Sequence, residues 1–330
     1  MSNRAVKVQS FDAKDPFAGL ALVTKPVPKA EAGHVVIQIT LRPILPFDLM
    51  CIRQGANGLF TPGAEGFGIV HDVGEGVKTV KKGQRVVPLI ALDLPNVEGS
   101  WQQYLCVKEE LVWAVPDSIS DEAAAQFVIN PWTLYGMLTD LKVPKGEYIL
   151  QTAAGSVLGR QVIQLAKHWG IKTINVVRRG EQKEELKALG ADEVICTNEE
   201  EEDVATRVKE ITGGKLAYGA IDPVAGTLTK QVVASVRDGG QVFVFGFLGG
   251  NDITVGVGDL FRGVHLTGWS FYHAIASAER RKALTNGVSK LMEDKIIVPR
   301  MGETYDLADF QLAIKKATEV GGGGKVLLSS

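Results

Sequence analysis

The segment 148–179 constrains the fold of this chain more than any other. Residues 148–152 form a short apolar run typical of a strand, and residues 172–177 form a second run rich in β-branched side chains. Between them, apolar side chains recur at helical spacing from Ser156, and Gly170 stands where a helix end favours a residue that tolerates positive φ. A strand, a tight turn, a helix and a second strand in about 30 residues predict a βαβ unit.

The turn in this unit contains small residues at the positions where a dinucleotide fingerprint has glycines. The usual pattern is G-x-G-x-x-G, and here the three positions are Ala154, Ser156 and Gly159. A helix N-terminus offers unpaired N–H groups and a positive dipole end, which suit a pyrophosphate, and Ser156 is a good helix cap. The pattern predicts a dinucleotide site, and the alternative is an ordinary strand-to-helix turn.

The end of the second strand indicates which dinucleotide is bound. NAD sites usually place Asp or Glu about 20 residues after the glycine turn, where the carboxylate binds the ribose 2′-OH. This chain has Arg178 and Arg179 at that place. A guanidinium pairs with a 2′-phosphate, so the two arginines predict NADPH. The alternative is that both are solvated surface residues.

Composition excludes several classes of protein. The net charge of −2 gives no basic surplus for nucleic acid, and no apolar run in the sequence is long enough to span a membrane. The three cysteines are isolated in sequence, so they indicate neither a disulfide framework nor a Cys-rich zinc lobe. Because the first residues show no signal core, we expect a cytoplasmic protein, or a mitochondrial one if a leader has been removed.

The chain divides into two regions with different rhythms. Residues 1–125 alternate short strand-like runs with Gly/Pro turns, which predicts a β-rich domain. From residue 148 strands and helices alternate, which predicts a doubly wound, mostly parallel sheet. We expect a β-rich domain made of residues 1–125 and 272–330, and a cofactor domain made of residues 126–271.

Residues 63–87 carry a family resemblance. They read GAEGFGIVHDVGEGVKTVKKGQRVV, which is similar to the signature of the medium-chain dehydrogenase/reductase superfamily. With the βαβ unit in its expected place, the resemblance covers nearly the whole chain. It implies an α/β protein with a GroES-like β-rich catalytic domain and a Rossmann cofactor domain with a doubly wound parallel sheet.

The sequence departs from the zinc-dependent members of this superfamily at their ligand positions. Those positions are held here by Leu45, Ala64 and Ile129, whose side chains have no atom that binds zinc. We therefore predict no metal. The resemblance is then to the zinc-free branch, which contains quinone oxidoreductases and 2-enoyl-thioester reductases.

Two segments resemble the enoyl-thioester reductases in particular. Residues 130–138, NPWTLYGML, are similar to their N-P-x-T-x-Y-x-M-L motif, and residues 173–178, TINVVR, match their second strand and its NADPH-selecting arginine. Those enzymes also have a tyrosine just after a Gln-Gly pair, as the presumed proton donor. Here Asn57 stands near that position, and an amide is not a general acid at neutral pH. A proton from solvent is the remaining possibility.

Without a metal, hydride transfer needs an acceptor that is already polarised. A C=C bond conjugated with a carbonyl, or a quinone, meets this need, whereas an unactivated ketone needs a Lewis acid or a strong donor. We predict a zinc-independent, NADPH-dependent reductase of a 2-enoyl thioester or enone. The alternatives are an NADPH:quinone oxidoreductase and a catalytically silent NADPH-binding protein with a structural or regulatory role.

The residue pattern and the resemblance together give a set of cofactor contacts. The resemblance places Thr133 and Gly246–Phe247 at the nicotinamide, backbone N–H groups of the turn at the pyrophosphate, and Lys325 at the cofactor phosphates. The predicted contacts are Thr133, Ala154, Ser156, Val157, Leu158, Gly159, Arg178, Arg179, Gly246, Phe247 and Lys325. Simpler roles are a helix hydroxyl for Thr133, core packing for Phe247, and a solvated edge-strand cation for Lys325.

The catalytic candidates are Asp48, Asn57 and Thr133. The simpler role for Asp48 is that of a helix cap or a partner of a backbone amide. For partners we expect a small-molecule substrate, no nucleic acid and no membrane span. The resemblance also implies a homodimer, formed through the last strand of the cofactor sheet near residues 264–269.

Overall fold

The computed structural model describes residues 2–55, 60–90, 98–199, 203–319 and 323–330, with the side chains of residues 273 and 274 left out. The chain forms two compact units. The first comprises Met1–Asn130 and Val298–Ser330, and the second comprises Pro131–Ile297. Among the described residues, no helix is both long enough and apolar enough to cross a bilayer.

The described residues form 15 strands and 11 α-helices. The strands are β1 Ser2–Val8, β2 Leu20–Pro26, β3 His34–Pro43, β4 Phe67–Val73, β5 Arg85–Pro88, β6 Tyr104–Lys108, β7 Val112–Ala114, β8 Tyr148–Gln151, β9 Lys172–Val177, β10 Glu193–Cys196, β11 Ala217–Asp222, β12 Val236–Val244, β13 His265–Gly268, β14 Met301–Asp306 and β15 Lys325–Ser329. The helices are α1 Pro46–Arg53, α2 Asp121–Ala124, α3 Ile129–Leu141, α4 Val157–Trp169, α5 Lys183–Leu189, α6 Val204–Ile211, α7 Leu228–Ala234, α8 Val257–Phe261, α9 Phe271–Ala274, α10 Ala278–Glu293 and α11 Phe310–Thr318.

The second unit is built on a parallel sheet with the strand order β10-β9-β8-β11-β12-β13. A row of fully buried apolar side chains crosses it, with Ile174 opposite Leu150, Leu150 opposite Ala220 and Ala220 opposite Val242. The predicted doubly wound sheet is confirmed. The strand order reverses between β8 and β11, and ligands of such sheets bind beyond the carboxyl ends of the strands at this point.

The first unit is β-rich, as the sequence predicts. Its main sheet has the order β14-β15-β3-β4-β5-β7, with β6 also paired to β3, and β1 and β2 form a separate antiparallel pair. Buried β-branched side chains, including Val35, Ile37 and Ile39 of β3, form its core. Because β15 lies between β14 and β3, the last strand of the chain is interior to this sheet.

The structure places the segment after residue 272 differently from the sequence-based boundary. Helix α10 belongs to the second unit, which continues to Ile297. Arg280 of this helix donates to the Asp140 carboxylate of α3 at 2.6 Å. Gly287 faces the ring of Tyr135 so closely that an added Cβ would lie 2.6 Å from it. These contacts with α3 keep α10 in this unit, and no local sequence pattern indicates them.

Candidate functional site

The turn between β8 and α4 presents a capped helix N-terminus. Ser156 adopts the extended conformation of an N-cap, and its Oγ accepts a hydrogen bond from the Gly159 N–H at 3.0 Å. The predicted cap is therefore confirmed. The N–H groups of Val157 and Leu158 find no acceptor among the described residues. Two donors at the positive end of a 13-residue helix are thus available to an anion.

Gly159 lets the backbone in this turn pack more closely than any side chain would permit. An added Cβ at Gly159 would lie 2.7 Å from the Cα atom and the carbonyl oxygen of Ala154, which is itself fully buried. An added Cβ at Gly155 would lie 2.3 Å from the side chain of Gln182. The nearest atoms to Gly159 belong to the backbone, so this geometry requires glycine at the third fingerprint position, whereas the neighbour of Gly155 is the end of a flexible side chain.

Arg178 and Arg179 follow the carboxyl end of β9, and their environments differ. Arg178 is exposed and forms no ion pair with the described residues. Arg179 is half-buried and lies 3.6 Å from the Glu181 carboxylate. Arg178 is therefore the available cation of the two, and its predicted pairing with a 2′-phosphate remains a prediction.

Asp222, at the carboxyl end of β11, is a residue that the sequence analysis did not single out. Its carboxylate is fully buried and accepts hydrogen bonds from the hydroxyls of Thr152 at 2.6 Å and Thr229 at 2.8 Å. It also accepts from the N–H of Val224 at 2.9 Å. These contacts fix the ends of β8 and β11 where the strand order reverses. An Asp at the end of an apolar strand was the available sequence signal.

The residues predicted at the nicotinamide lie in α3 and after β12. Thr133 is buried in α3. Gly246 packs against the Pro223 carbonyl oxygen, which would lie 2.7 Å from an added Cβ. Phe247 is 51% exposed, so the core-packing alternative for this side chain is wrong. The contacts of all three with a nicotinamide remain predictions.

In the first unit, Asp48 joins two segments that are distant in sequence. Its side chain is 2% exposed and accepts hydrogen bonds from the N–H groups of Leu45 and Ala64, both at 2.9 Å. Asp48 lies in the first turn of α1, so it is the partner of backbone amides that the simpler interpretation predicts. A catalytic role for Asp48 remains a prediction.

Glu65 makes the matching connection to a third segment. Its side chain is also 2% exposed, and Oε2 accepts from the N–H groups of Val128 at 3.1 Å and Ile129 at 2.7 Å. The backbones of Leu45, Ala64 and Ile129, the positions of the zinc ligands in the zinc-dependent relatives, are thus all held by two buried carboxylates.

The side chains at these three positions do not fit a zinc ion. Leu, Ala and Ile offer no nitrogen, sulfur or oxygen donor. In the part of the chain that the structure describes, no group of three or more His, Cys, Asp or Glu residues is placed to hold a metal. The first unit therefore has two buried carboxylates beside the positions that bind zinc in the zinc-dependent relatives, but it has no zinc-binding side chains at those positions.

Lys325 belongs to the same group of charges. It is 9% exposed and lies on β15, an interior strand, so the alternative of a solvated edge-strand cation is wrong. Burial lowers the pKa of Lys325, while the charges of Glu65 and Asp48 oppose this shift. Burial also raises the pKa of Asp48 and the pKa of Glu65 to about 7 each. Lys325 thus has partners within its own unit, and its contact with cofactor phosphates remains a prediction.

The raised pKa of Asp48 predicts a pH dependence of stability. The folded protein keeps the Asp48 proton up to about pH 7, whereas the unfolded chain loses it near the ordinary pKa of 3.8. The resulting stabilisation is complete below that ordinary value and is lost as the pH rises through the folded pKa. We expect this group to contribute about 1 to 3 kcal/mol to a fall in the free energy of unfolding between about pH 5 and about pH 8.

Urea denaturation of the wild type and Asp48→Asn over this pH range measures the contribution. The amide does not titrate, so the variant should show the smaller fall, and the effects of groups that do not interact with Asp48 cancel in the difference. Parallel pH profiles for the two proteins would contradict the assignment.

The remaining catalytic candidate, Asn57, lies outside the described residues. Its predicted position near the tyrosine of the enoyl-thioester reductases therefore rests on the sequence alone.

Comparison with known proteins covers both units. Residues 31–117 match the family model of the alcohol dehydrogenase GroES-like domain, and residues 157–289 match that of the zinc-binding dehydrogenase. The mitochondrial enoyl-[acyl-carrier-protein] reductase of Caenorhabditis elegans is 34% identical over 77% of this chain and 74% of its own length. That of Rattus norvegicus is 30% identical over 91% of this chain and 82% of its own length.

Solved structures with similar folds include quinone reductases. A putative NADPH:quinone reductase from Bacillus thuringiensis is 30% identical, with a TM-score of 0.89 over 100% of this chain and 99% of that one. The Escherichia coli quinone oxidoreductase, crystallised with NADPH, is 26% identical, with a TM-score of 0.87 over 99% of this chain and 100% of that one.

The matches to the two domain models and to full-length reductases agree with the fold, and the residues at the former ligand positions lack metal donors. The chain belongs to the medium-chain dehydrogenase/reductase superfamily, in its zinc-independent branch, and it is an oxidoreductase.

Proposed function

We propose that this protein is a zinc-independent, NADPH-dependent reductase that transfers hydride to a C=C bond conjugated with a carbonyl, such as that of a 2-enoyl thioester or an enone. One observation carries the cofactor assignment. At the carboxyl ends of adjacent parallel strands, a capped turn leaves the N–H groups of Val157 and Leu158 unbonded among the described residues, and Arg178 is available as a cation.

The second unit supplies groups that fit each charged part of NADPH. The amino end of α4 suits the pyrophosphate, since its N–H groups and dipole both favour an anion. The Arg178 guanidinium suits the 2′-phosphate that distinguishes NADPH from NADH. We propose that Thr133, Gly246 and Phe247 contact the nicotinamide. When bound, NADPH supplies the hydride.

The choice of acceptor follows from the residues at the former ligand positions. Leu45, Ala64 and Ile129 offer nothing to polarise an isolated ketone. A conjugated carbonyl delocalises the charge that develops on hydride addition, so the protein has only to orient the acceptor and stabilise an enolate. The enoyl reductases among the relatives act on such a C=C bond, which supports this choice.

A quinone is the second candidate acceptor. The structural similarity to the NADPH:quinone reductase from Bacillus thuringiensis favours it, as does Asn57, because its amide is not a proton donor for an enolate at neutral pH. Quinones are also polarised acceptors, so the same argument about metal donors applies to them.

A substrate panel separates the two candidates. The purified protein is incubated with NADPH and, separately, a short-chain 2-enoyl-CoA, a 2-alkenal, an ortho-quinone and a para-quinone. NADPH oxidation is followed by absorbance and the products by mass spectrometry. We expect saturated thioester or carbonyl products. Turnover of quinones alone would select the second candidate, and tight NADPH binding without turnover of any acceptor would contradict both.

We also propose that the protein is a homodimer formed through the cofactor sheet. β13 is the last strand in that sheet, and within the described residues it pairs only with β12. The preceding helix α8 exposes apolar side chains, with Phe261 87% and Val257 64% exposed. An unpaired strand edge beside exposed apolar surface is the kind of feature that a second copy of the chain covers.

Light scattering at micromolar concentration tests the dimer. We expect twice the chain mass for the wild type and a substantial monomer fraction for Phe261→Asp, which places a charge on the apolar surface. A wild-type protein of single-chain mass would contradict the proposal.

A further inference from the structure

Arg160 is a cation in an unfavourable place. It is the fourth residue of α4, and a positive charge in the first turns of a helix opposes the helix dipole. Its side chain is only 9% exposed, so the charge is also largely removed from water. A buried cation at this end of a helix requires specific partners.

The first partner of Arg160 is the turn before α4. Its Nε donates to the Gly155 carbonyl oxygen at 3.1 Å. The N–H of the same peptide, which belongs to Ser156, donates to the Ala153 carbonyl oxygen at 2.9 Å. The peptide between Gly155 and Ser156 is therefore fixed at both ends, and it immediately precedes the N–H groups that we assign to the pyrophosphate.

The second partner of Arg160 is helix α5. Its Nη2 donates to the Glu185 carboxylate at 2.7 Å. The segment leading into α5 also meets the turn directly, since an added Cβ at Gly155 would lie 2.3 Å from the Gln182 side chain. The N–H of Gln182 in turn donates to the Arg179 carbonyl oxygen at 3.2 Å. A chain of contacts thus joins the turn to the segment that carries the two arginines.

We propose that Arg160 is a positioning residue that couples the pyrophosphate turn to the 2′-phosphate segment, and so contributes to the selection of NADPH over NADH. This inference rests on the proposed function. The pyrophosphate and the 2′-phosphate of NADPH are joined through one ribose, which limits their separation, so both are bound well only if the turn and Arg178 are held at a matching separation. Arg160 acts through the turn and through Glu185, not through a contact of its own.

A double-mutant cycle tests the coupling. NADPH and NADH binding are measured by calorimetry for the wild type, Arg160→Met, Arg178→Ala and the double variant. We expect Arg160→Met to weaken NADPH binding about tenfold and NADH binding about threefold or less. We also expect Arg178→Ala to cost at least about threefold less in the Arg160→Met background than in the wild type.

Two further measurements distinguish a loss of the coupling from a loss of folding. Glu185→Gln leaves Arg160 in place and should reproduce part of the loss of NADPH selectivity. Thermal denaturation of each variant shows whether it is folded under the conditions of the titration, and a folded Glu185→Gln carries the test if Arg160→Met does not fold. Equal weakening of NADPH and NADH, or additive effects of Arg160→Met and Arg178→Ala, would overturn the coupling. A wild type that binds neither nucleotide would instead refute the proposed function.

Discussion

Arg178→Asp is expected to weaken NADPH binding by about 100- to 1,000-fold and to change NADH binding by less than about threefold. The substitution removes a charge-assisted hydrogen bond to the 2′-phosphate and adds repulsion between two anions. NADH lacks that phosphate, so it loses neither interaction. In the structure Arg178 is exposed and has no ion-pair partner among the described residues, so no existing salt bridge is broken by the change.

Calorimetric titration of both nucleotides measures this difference. Lys209→Asp provides the matched control, because Lys209 is an exposed cation on α6 of the same unit and the substitution changes the net charge equally. The control should leave both affinities within about threefold of the wild type, since exposed charges are strongly screened. Equal loss of NADPH and NADH affinity in Arg178→Asp would show that the guanidinium does not bind the 2′-phosphate.

Glu65→Ala is expected to lower the free energy of unfolding by about 3 to 5 kcal/mol. The change leaves the N–H groups of Val128 and Ile129 without their acceptor in a buried position. It also leaves Lys325 buried beside one carboxylate instead of two. Both losses act on buried groups of the first unit, so the expected effect is a loss of stability.

Urea denaturation gives the free energy, and two variants make the comparison specific. A single oxygen of Glu65 accepts from both N–H groups, so Glu65→Gln keeps an acceptor for them and should cost less than the alanine variant. Glu75→Ala removes an exposed carboxylate from the same unit and should change stability by less than about 0.5 kcal/mol. A cost below about 1 kcal/mol for Glu65→Ala would mean that the buried carboxylate does not hold these segments together.

The sequence predicted the parts of the fold that depend on local chemistry. The β8–α4–β9 unit could be predicted because its strands contain β-branched residues and its helix has a capping serine and a terminal glycine. The structure confirms both ends of α4, with the Ser156 cap and with Gly170 at a φ of 72°. Each of these features is determined within a few residues of chain, and such features are therefore visible in a single sequence.

Features that depend on distant pairing were not readable in the same way. Asp48 and Lys325 could each be identified as unusual, but nothing local indicates that β15 inserts between β14 and β3 and brings them near Glu65. The burial of β1 also depends on residues that are distant in sequence. Asn3 of β1 is fully buried, and its side-chain amide donates hydrogen bonds to Gln102 and Tyr104, about a hundred residues away. A polar residue at that position weakens the local strand pattern.

The same limit applies to the candidate site. The turn and the two arginines were identified from their spacing, whereas the Arg160 link between them was not, because it depends on α5 packing beside α4. The sequence analysis did not identify Asp222 as part of the site, because an aspartate at the end of an apolar strand is equally typical of an ordinary turn.

Transfer of a labelled hydride tests the proposed reaction most directly. The protein is supplied with NADPH in which both hydrogens at C4 of the nicotinamide are deuterium, and with a short-chain 2-enoyl-CoA in ordinary water. Mass spectrometry should find the saturated thioester with a single deuterium at its β-carbon and a solvent proton at its α-carbon. The absence of any labelled saturated product, under conditions in which NADPH binds, would contradict the reduction of 2-enoyl thioesters by this protein.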